Sequence, residues 1–436
     1  MASSTILSRK IIKPSSPIPS SLRHHNLSFR DYIANPSYVP VASFYSKPEN
    51  YNMTQISYIL ENSLSKILSS YYPFAGRIKD NKYVDCNDDD IGIEYLNVRV
   101  NCPMSEILNN PNNDAIDIVF PQDLPWNNSI SSGRSLLVVQ LSHFDCGGLA
   151  VSLCLSHKIA DGYSLSKFLF DWADISRDEH SDIKLSPHFN AASFFPLMDN
   201  PPNIPNIVPE PQRCVSRMYH ISSSNLTRLK DIVATNSAIV QNPTRVEVAT
   251  ALLHKCGVAA SKANPGVFKP TMLIHLMNLR PPIPLNTIGN ATCHYGTMAV
   301  SEDDINLTNY VARLQKAKQK LQDELKGMNT NQLAADALKR IKQGADIIKR
   351  DIFDVYSCTS LCNIDLHKHV DFGWGRPVRL SVARYSMKNH FLFMDERSGD
   401  GINVVVTLTE ADMSIFQNNE ELLEFASPVG SVPRIS

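Results

Sequence analysis

The chain has 436 residues and a mass of 48.7 kDa, with 43% apolar and 19% charged side chains. That balance supports large buried cores and excludes long disorder and a disulfide-stapled miniprotein. Forty-two Lys and Arg offset 43 Asp and Glu, for a net charge of −1 without a sustained basic run, which argues against nucleic acid as a partner. The longest apolar stretches, such as 136–141, fall far short of the roughly 20 residues a bilayer requires, so a soluble protein with no membrane partner is expected.

The opening MASSTILSRKIIKPSSPIPSSL has no apolar segment of the secretory kind, and nothing marks a lipid anchor or peroxisomal address at Arg434-Ile435-Ser436. A cytoplasmic location is expected, with a transit peptide as the alternative because no acidic residue precedes Asp31. Nine scattered cysteines without a CxxC pair fit reduced thiols.

In chain order, Ile56, Ile59, Leu60, Leu64, Ile67, Leu68 and Tyr71 recur at helical spacing, and Tyr72-Pro73 ends that helix. Residues 136–141 and 149–155 read as buried strands around a turn-forming loop at 143–148. A helix follows Gly162, with Leu165, Phe168, Leu169 and Trp172 on one stripe. Six prolines from Pro196 to Pro211 break the chain and predict a linker at 195–213 between domains at 1–194 and 214–436. The second half adds a helix at 244–256, a strand at 272–277, an amphipathic helix burying Leu307, Val311, Leu314, Leu321 and Leu325, and strands at 391–395 and 402–408. The class is mixed α/β.

Chemistry concentrates in Ser156-His157-Lys158-Ile159-Ala160-Asp161-Gly162, where a histidine ends an apolar strand and an aspartate follows four residues later. Imidazole at a rigid strand end facing a crevice is suited to removing a proton near neutral pH. Spacing alone fits equally a satisfied core histidine beside a helix N-cap aspartate. His367 and His369 alternate without a cysteine or carboxylate to complete a metal site, and no glycine-rich phosphate loop occurs. No metal or redox cofactor is expected.

HKIAD fits the HxxxD motif of the BAHD acyl-CoA-dependent acyltransferases, and Asp371-Phe372-Gly373-Trp374-Gly375 copies that family's DFGWG. Lys13-Pro14-Ser15-Ser16-Pro17, Tyr72-Pro73-Phe74-Ala75-Gly76-Arg77, Asn278-Leu279-Arg280, Gly289-Asn290 and Gly399-Asp400-Gly401 extend the resemblance over nearly the whole chain. The chain looks most like the alkaloid-acetylating branch, and the matching N-terminus speaks against a cleaved transit peptide. The resemblance implies two similar chloramphenicol-acetyltransferase-like domains joined by a crossover loop, with a channel between them. Acyl-CoA enters that channel from one face and a small-molecule alcohol from the other. By the same resemblance His157 is the general base, Asp161 pairs with Arg280 to fix the site, and Asp371, Gly373, Trp374 and Gly375 shape the CoA channel. Trp374 N–H or backbone amides are candidate oxyanion donors. Thr244 and Arg245, at a helix start, are candidates for a CoA phosphate, with an ordinary capped helix as the alternative.

The implied reaction is O-acetylation of a plant specialised metabolite by acetyl-CoA, with an indole alkaloid as the expected acceptor and a monomer as the expected state. A terpenoid alcohol is the rival acceptor. Where relatives carry Trp and Arg before DFGWG this chain has Leu361 and Asn363, which disfavours an acidic acceptor. Thr287-Ile288-Gly289-Asn290-Ala291 disfavours the anthocyanin group. Arg379 and Arg384, at positions commonly apolar, leave malonyl-CoA as an alternative donor. The same scaffold with acyl transfer lost, as a cyclase or binding protein, is a further alternative.

Overall fold

The computed structural model describes residues 2–87, 91–110, 113–122, 133–178, 185–198, 201, 213–236, 239–263, 266–384 and 387–430; the expected linker lies largely outside them. The first half supplies β1 (Ser4–Ile12), β2 (His24–Asn26), β3 (Tyr38–Tyr45), β4 (Arg77–Lys79), β5 (Tyr83–Asp85), β6 (Ile93–Val100), β7 (Leu137–Phe144) and β8 (Leu149–Ser156). The second supplies β9 (Cys214–Ile221), β10 (Thr271–Asn278), β11 (Thr292–Ala299), β12 (Asp354–Ser360), β13 (Arg379–Ser381), β14 (His390–Asp395), β15 (Ile402–Thr409) and β16 (Ser427–Pro428).

These strands build a six-stranded sheet in the order β1-β6-β7-β8-β3-β13, a seven-stranded sheet in the order β11-β10-β12-β14-β15-β9-β16, and a small β2-β5-β4 sheet. β7 and β8 are buried at every position, as near-continuous runs of Val and Leu require of central strands covered on both faces. β13 comes from the second half of the sequence but pairs with β3, Ser381 opposite Ala42. The second half therefore returns a strand to the first sheet.

Helices cover the sheets where the apolar spacing predicts them. Met53–Ser70 starts at a reciprocal Asn52/Gln55 cap and buries Ile56, Leu60, Leu64, Ile67 and Leu68. Gly162–Arg177 starts at Asp161 and buries Leu165, Phe168, Leu169 and Trp172. In the second half the helices Arg245–Ala263 and Leu307–Leu325 pack on one face of the seven-stranded sheet, through Leu252, Tyr310 and Leu314 against Leu273, Tyr356, Phe391 and Val404.

The opposite face of that sheet turns toward the first half, where Met218, Met394 and Val405 join a core containing Leu153, Phe168 and Phe372. Register carries this face outward. Met218 lies opposite Val405, Val405 opposite Leu392, and Leu392 opposite Thr359. Ser357 lies opposite Ile274, Ile274 opposite Gly296, and Leu276 opposite His294. Residues directly opposite one another, or two apart on a strand, share a face, so Leu276 and His294 also look toward the first half. All nine cysteines are unpaired, and only Cys146 is exposed. Among the described residues no helix is long and apolar enough to cross a membrane.

Candidate active site

His157 follows β8 directly, and its amide donates to the Ser37 carbonyl at 2.8 Å, which extends the β3–β8 pairing to the seam between the halves. Its Nδ1 lies 3.0 Å from Oδ1 of Asn290, a residue of the segment between β10 and β11. Asn290 Nδ2 is committed twice, donating to the His157 carbonyl at 2.7 Å and to Asp31 Oδ1 at 2.8 Å. Both partners can only accept. Asn290 Oδ1 must therefore face Nδ1, that nitrogen carries the ring proton, and Nε2 keeps its lone pair. Asp31 is held in turn: Oδ1 also accepts from the Asn290 amide at 2.9 Å, and Oδ2 accepts from Ser28 N and Oγ at 2.9 and 2.6 Å. The same Ser28/Asp31 box caps the short helix Phe29–Ile33.

Asp161 takes no part in that chain of bonds. Its Oδ1 caps the following helix by accepting from Ser164 N, and its Oδ2 accepts from Arg280 Nη1 and Ala291 N, each at 2.9 Å. The fully enclosed Arg280 side chain donates further to Asn278 Oδ1, the Thr287 and Gly289 carbonyls and Ser164 Oγ, between 2.9 and 3.2 Å. Every guanidinium nitrogen is thus bonded. The bundle locks the segment carrying Asn290 against the strand end carrying His157.

The other sequence-predicted residues lie away from His157. Arg177, at the far end of the helix that Asp161 caps, donates to the Asp371 carbonyl at 2.5 Å, and Ser176 Oγ donates to the Phe372 carbonyl at 3.1 Å. That helix has 16 residues and so is about 24 Å long. Trp374 packs edge-on against Tyr45, 6.1 Å between ring centroids, at the end of β3 opposite to Tyr38 and Ser37. These two rulers agree and remove the Trp374 N–H from the possible oxyanion donors. Asp371 Oδ1 instead closes a turn by accepting from Gly373 and Gly375 N, each at 2.9 Å, with the glycines at φ +111° and +102°, a region that side chains with a Cβ disfavour.

Thr244 and Glu247 cap the helix Arg245–Ala263 reciprocally, at 2.9 and 3.2 Å. Arg245 donates to the Gly399 and Asp400 carbonyls, Asn363 Oδ1 and Asp395 Oδ1, between 2.6 and 3.0 Å. Its charge is met by Asp395, as the capped-helix alternative would have it. Arg379 donates to the Leu108 carbonyl at 3.1 Å, and Arg384 lies 3.5 Å from Asp117 and 3.9 Å from Asp114. Leu361 borders the site: a Cβ added at Gly162 would meet its Cδ2 at 2.9 Å. Among the described residues no group of three or more His, Cys, Asp or Glu could hold a metal ion.

Sequence reasoning missed Asn290 and Asp31 as site residues. The Gly289-Asn290 pair was visible as a family stretch, but its bond to His157 spans 133 positions and that to Asp31 spans 259.

A family model described as the transferase family matches residues 2–423. The chain belongs to this family, the BAHD acyltransferases. It is 59% identical over 98% of its length, and 99% of the relative's, to acylsugar acyltransferase 3 of Solanum lycopersicum. It is 36% identical to deacetylvindoline O-acetyltransferase of Catharanthus roseus, covering 97% of each chain. Its fold superposes on crystalline vinorine synthase with a TM-score of 0.82 at 28% identity, covering 98% of this chain and all of the other. This acyltransferase is an acyl-CoA-dependent enzyme with the family's two-domain α/β fold.

Proposed function

We propose that the protein transfers an uncharged acyl group from acyl-CoA to a free hydroxyl of a partly acylated sugar, with His157 as general base. The acceptor reading is carried by the 59% identity to an acylsugar acyltransferase over 98% of the chain. The alkaloid acceptor expected from the sequence has weaker support, in relatives 32–40% identical, deacetylvindoline O-acetyltransferase among them. An uncharged acyl group is favoured because the charge of Arg384 is already met by Asp117 and Asp114. The nine unpaired cysteines accord with a cytoplasmic location.

His157 Nε2 removes the acceptor hydroxyl proton as that oxygen attacks the thioester carbonyl. Collapse of the tetrahedral species breaks the C–S bond, and the proton held on Nε2 passes to the departing thiolate. The products are an ester and free CoA, with no covalent enzyme intermediate. Asp161 and Arg280 act on geometry, by holding Asn290 and thereby the imidazole.

Thiol release from acetyl-CoA and longer acyl-CoA donors, measured with mono- and diesters of sucrose and glucose and with alkaloid and terpenoid alcohols, tests the acceptor. Release dependent on the sugar esters is expected. Release with alkaloid alcohols alone would replace this reading. Asn290→Ala is expected to lower kcat about a hundredfold, because the imidazole then loses its fixed tautomer, with the KM for acyl-CoA little changed. Steady-state kinetics on purified protein checks this.

A further inference from the structure

Lys158 follows His157 directly, yet it is only 5% exposed. Its ammonium donates to the Tyr32 carbonyl at 2.6 Å and to the Ala34 carbonyl at 3.2 Å, and lies 5.7 Å from the centre of the Tyr32 ring. Both oxygens are main-chain and neutral. An ammonium enclosed among neutral partners is costly to keep charged, and burial pulls its pKa down to about 8, with the charge of Asp31 opposing the fall. What the ammonium adds over an apolar side chain of the same reach is two directed bonds. Both land on the C-terminal end of the helix Phe29–Ile33, whose C-cap is Ala34.

That helix carries Asp31, which accepts from Asn290 N and Nδ2, while Asn290 Oδ1 accepts from His157 Nδ1. Because His157 and Lys158 are consecutive, the bonds close a ring that runs from the imidazole through Asn290 and Asp31 to the two carbonyls, the ammonium and back along the main chain. Five residues are too few to hold a helix by themselves, so its position follows from its ties. At the start, Phe29 N donates to the Phe195 carbonyl at 2.7 Å. At the end, Lys158 binds it to the strand end that carries the imidazole. The Asn290 segment is fixed separately, by Asp161 and Arg280. A shift of the helix by about 1 Å would take Asp31 out of hydrogen-bond range of Asn290.

We infer that Lys158 is a positioning residue for acyl transfer: its ammonium pins the helix that carries Asp31, and thereby keeps Asn290 Oδ1 on Nδ1 of the imidazole and the Nε2 lone pair available to the acceptor hydroxyl. This rests on His157 as the base. Lys158 acts through Asp31 and Asn290, not on a substrate.

The test uses Lys158→Met, which keeps the reach of the stem, and Lys158→Arg, which keeps the charge and has donors for both carbonyls. Steady-state kcat and the KM values for acyl-CoA and for whichever alcohol reacts are measured with thermal midpoints and with the imidazole nitrogen resonances of His157, identified by their loss in His157→Ala. In wild type the two nitrogens are expected to resonate far apart, as a fixed tautomer with the proton on Nδ1 requires. Lys158→Met is expected to lower kcat about tenfold with both KM values within about twofold of wild type, and to draw the two resonances together as the tautomers exchange. Lys158→Arg is expected to recover kcat to within about threefold of wild type. A folded Lys158→Met with wild-type kcat, a lowered kcat with unchanged ring resonances, or a loss that appears in the KM values would each overturn the assignment. If Lys158→Met does not fold, Lys158→Gln, which keeps two N–H donors without the charge, takes its place and the same outcomes decide. If His157→Ala keeps its activity, the reading of His157 as base fails by itself; the ring resonances of the Lys158 variants still decide whether Lys158 fixes the tautomer.

Discussion

Arg280→Met is expected to destabilise the protein by about 3–5 kcal/mol, the usual cost of stripping one partner from a buried ion pair. Asp161 is 2% exposed and the Arg280 side chain not at all, so neither charge can turn to water. Losing the guanidinium leaves the Asp161 carboxylate with two backbone amides, strands the Thr287 carbonyl and leaves the Gly289 carbonyl with Ser164 Oγ alone. Asp161→Asn keeps an oxygen for the helix cap and removes the orphaned charge, so the double variant Asp161→Asn/Arg280→Met is expected to be more stable than Arg280→Met alone. Denaturant midpoints of the four proteins close the cycle. Additive losses would show that the two residues are not coupled.

The native state is expected to be lost near pH 5. Burial lowers the pKa of His143, His275 and His390 to about 4 and that of His254 to about 3, and all four are enclosed. The neighbours do not welcome a proton: His275 and His390 meet the hydroxyls of Thr250 and Ser357, and His254 sits edge-on to Tyr310 and Tyr356. In the unfolded chain these rings titrate near 6.5. The folded value is the lower one, so the unfolded chain binds more protons as pH falls from about 6.5 to about 4, and stability is lost across that window. At pH 5 the combined loss is on the order of 5 kcal/mol, comparable with the whole stability of many domains. Tryptophan fluorescence and far-UV circular dichroism between pH 7 and pH 4 check this. A transition only below pH 4 would contradict it.

What the sequence made legible follows from what is local. The β8 strand, the turn at His157 and the capped helix after Asp161 are contiguous, so apolar runs and a cap residue announce them. The glycines of DFGWG likewise reported a turn, and the turn is there. Asn290 and Asp31 acquire meaning only through bonds spanning 133 and 259 positions, and no periodicity encodes them. β13 has three residues, too few for alternation to show, and its place in the first sheet depends on β3. Thr244 and Arg245 resembled an anion site because a helix start looks the same whether or not Asp395, 150 positions away, already holds the cation. Trp374 was a plausible oxyanion donor until the lengths of a helix and a strand separated it from His157.

In the proposed mechanism His157 Nε2, its tautomer set by Asn290, moves the proton in a direct transfer from acyl-CoA to a hydroxyl. The most direct measurement is thiol release under saturating acyl-CoA and acceptor by wild type and His157→Ala, with thermal midpoints recorded alongside. A loss in kcat of about 10³- to 10⁴-fold with an unchanged fold is expected. Activity retained within tenfold of wild type, in a variant that is folded, would contradict it.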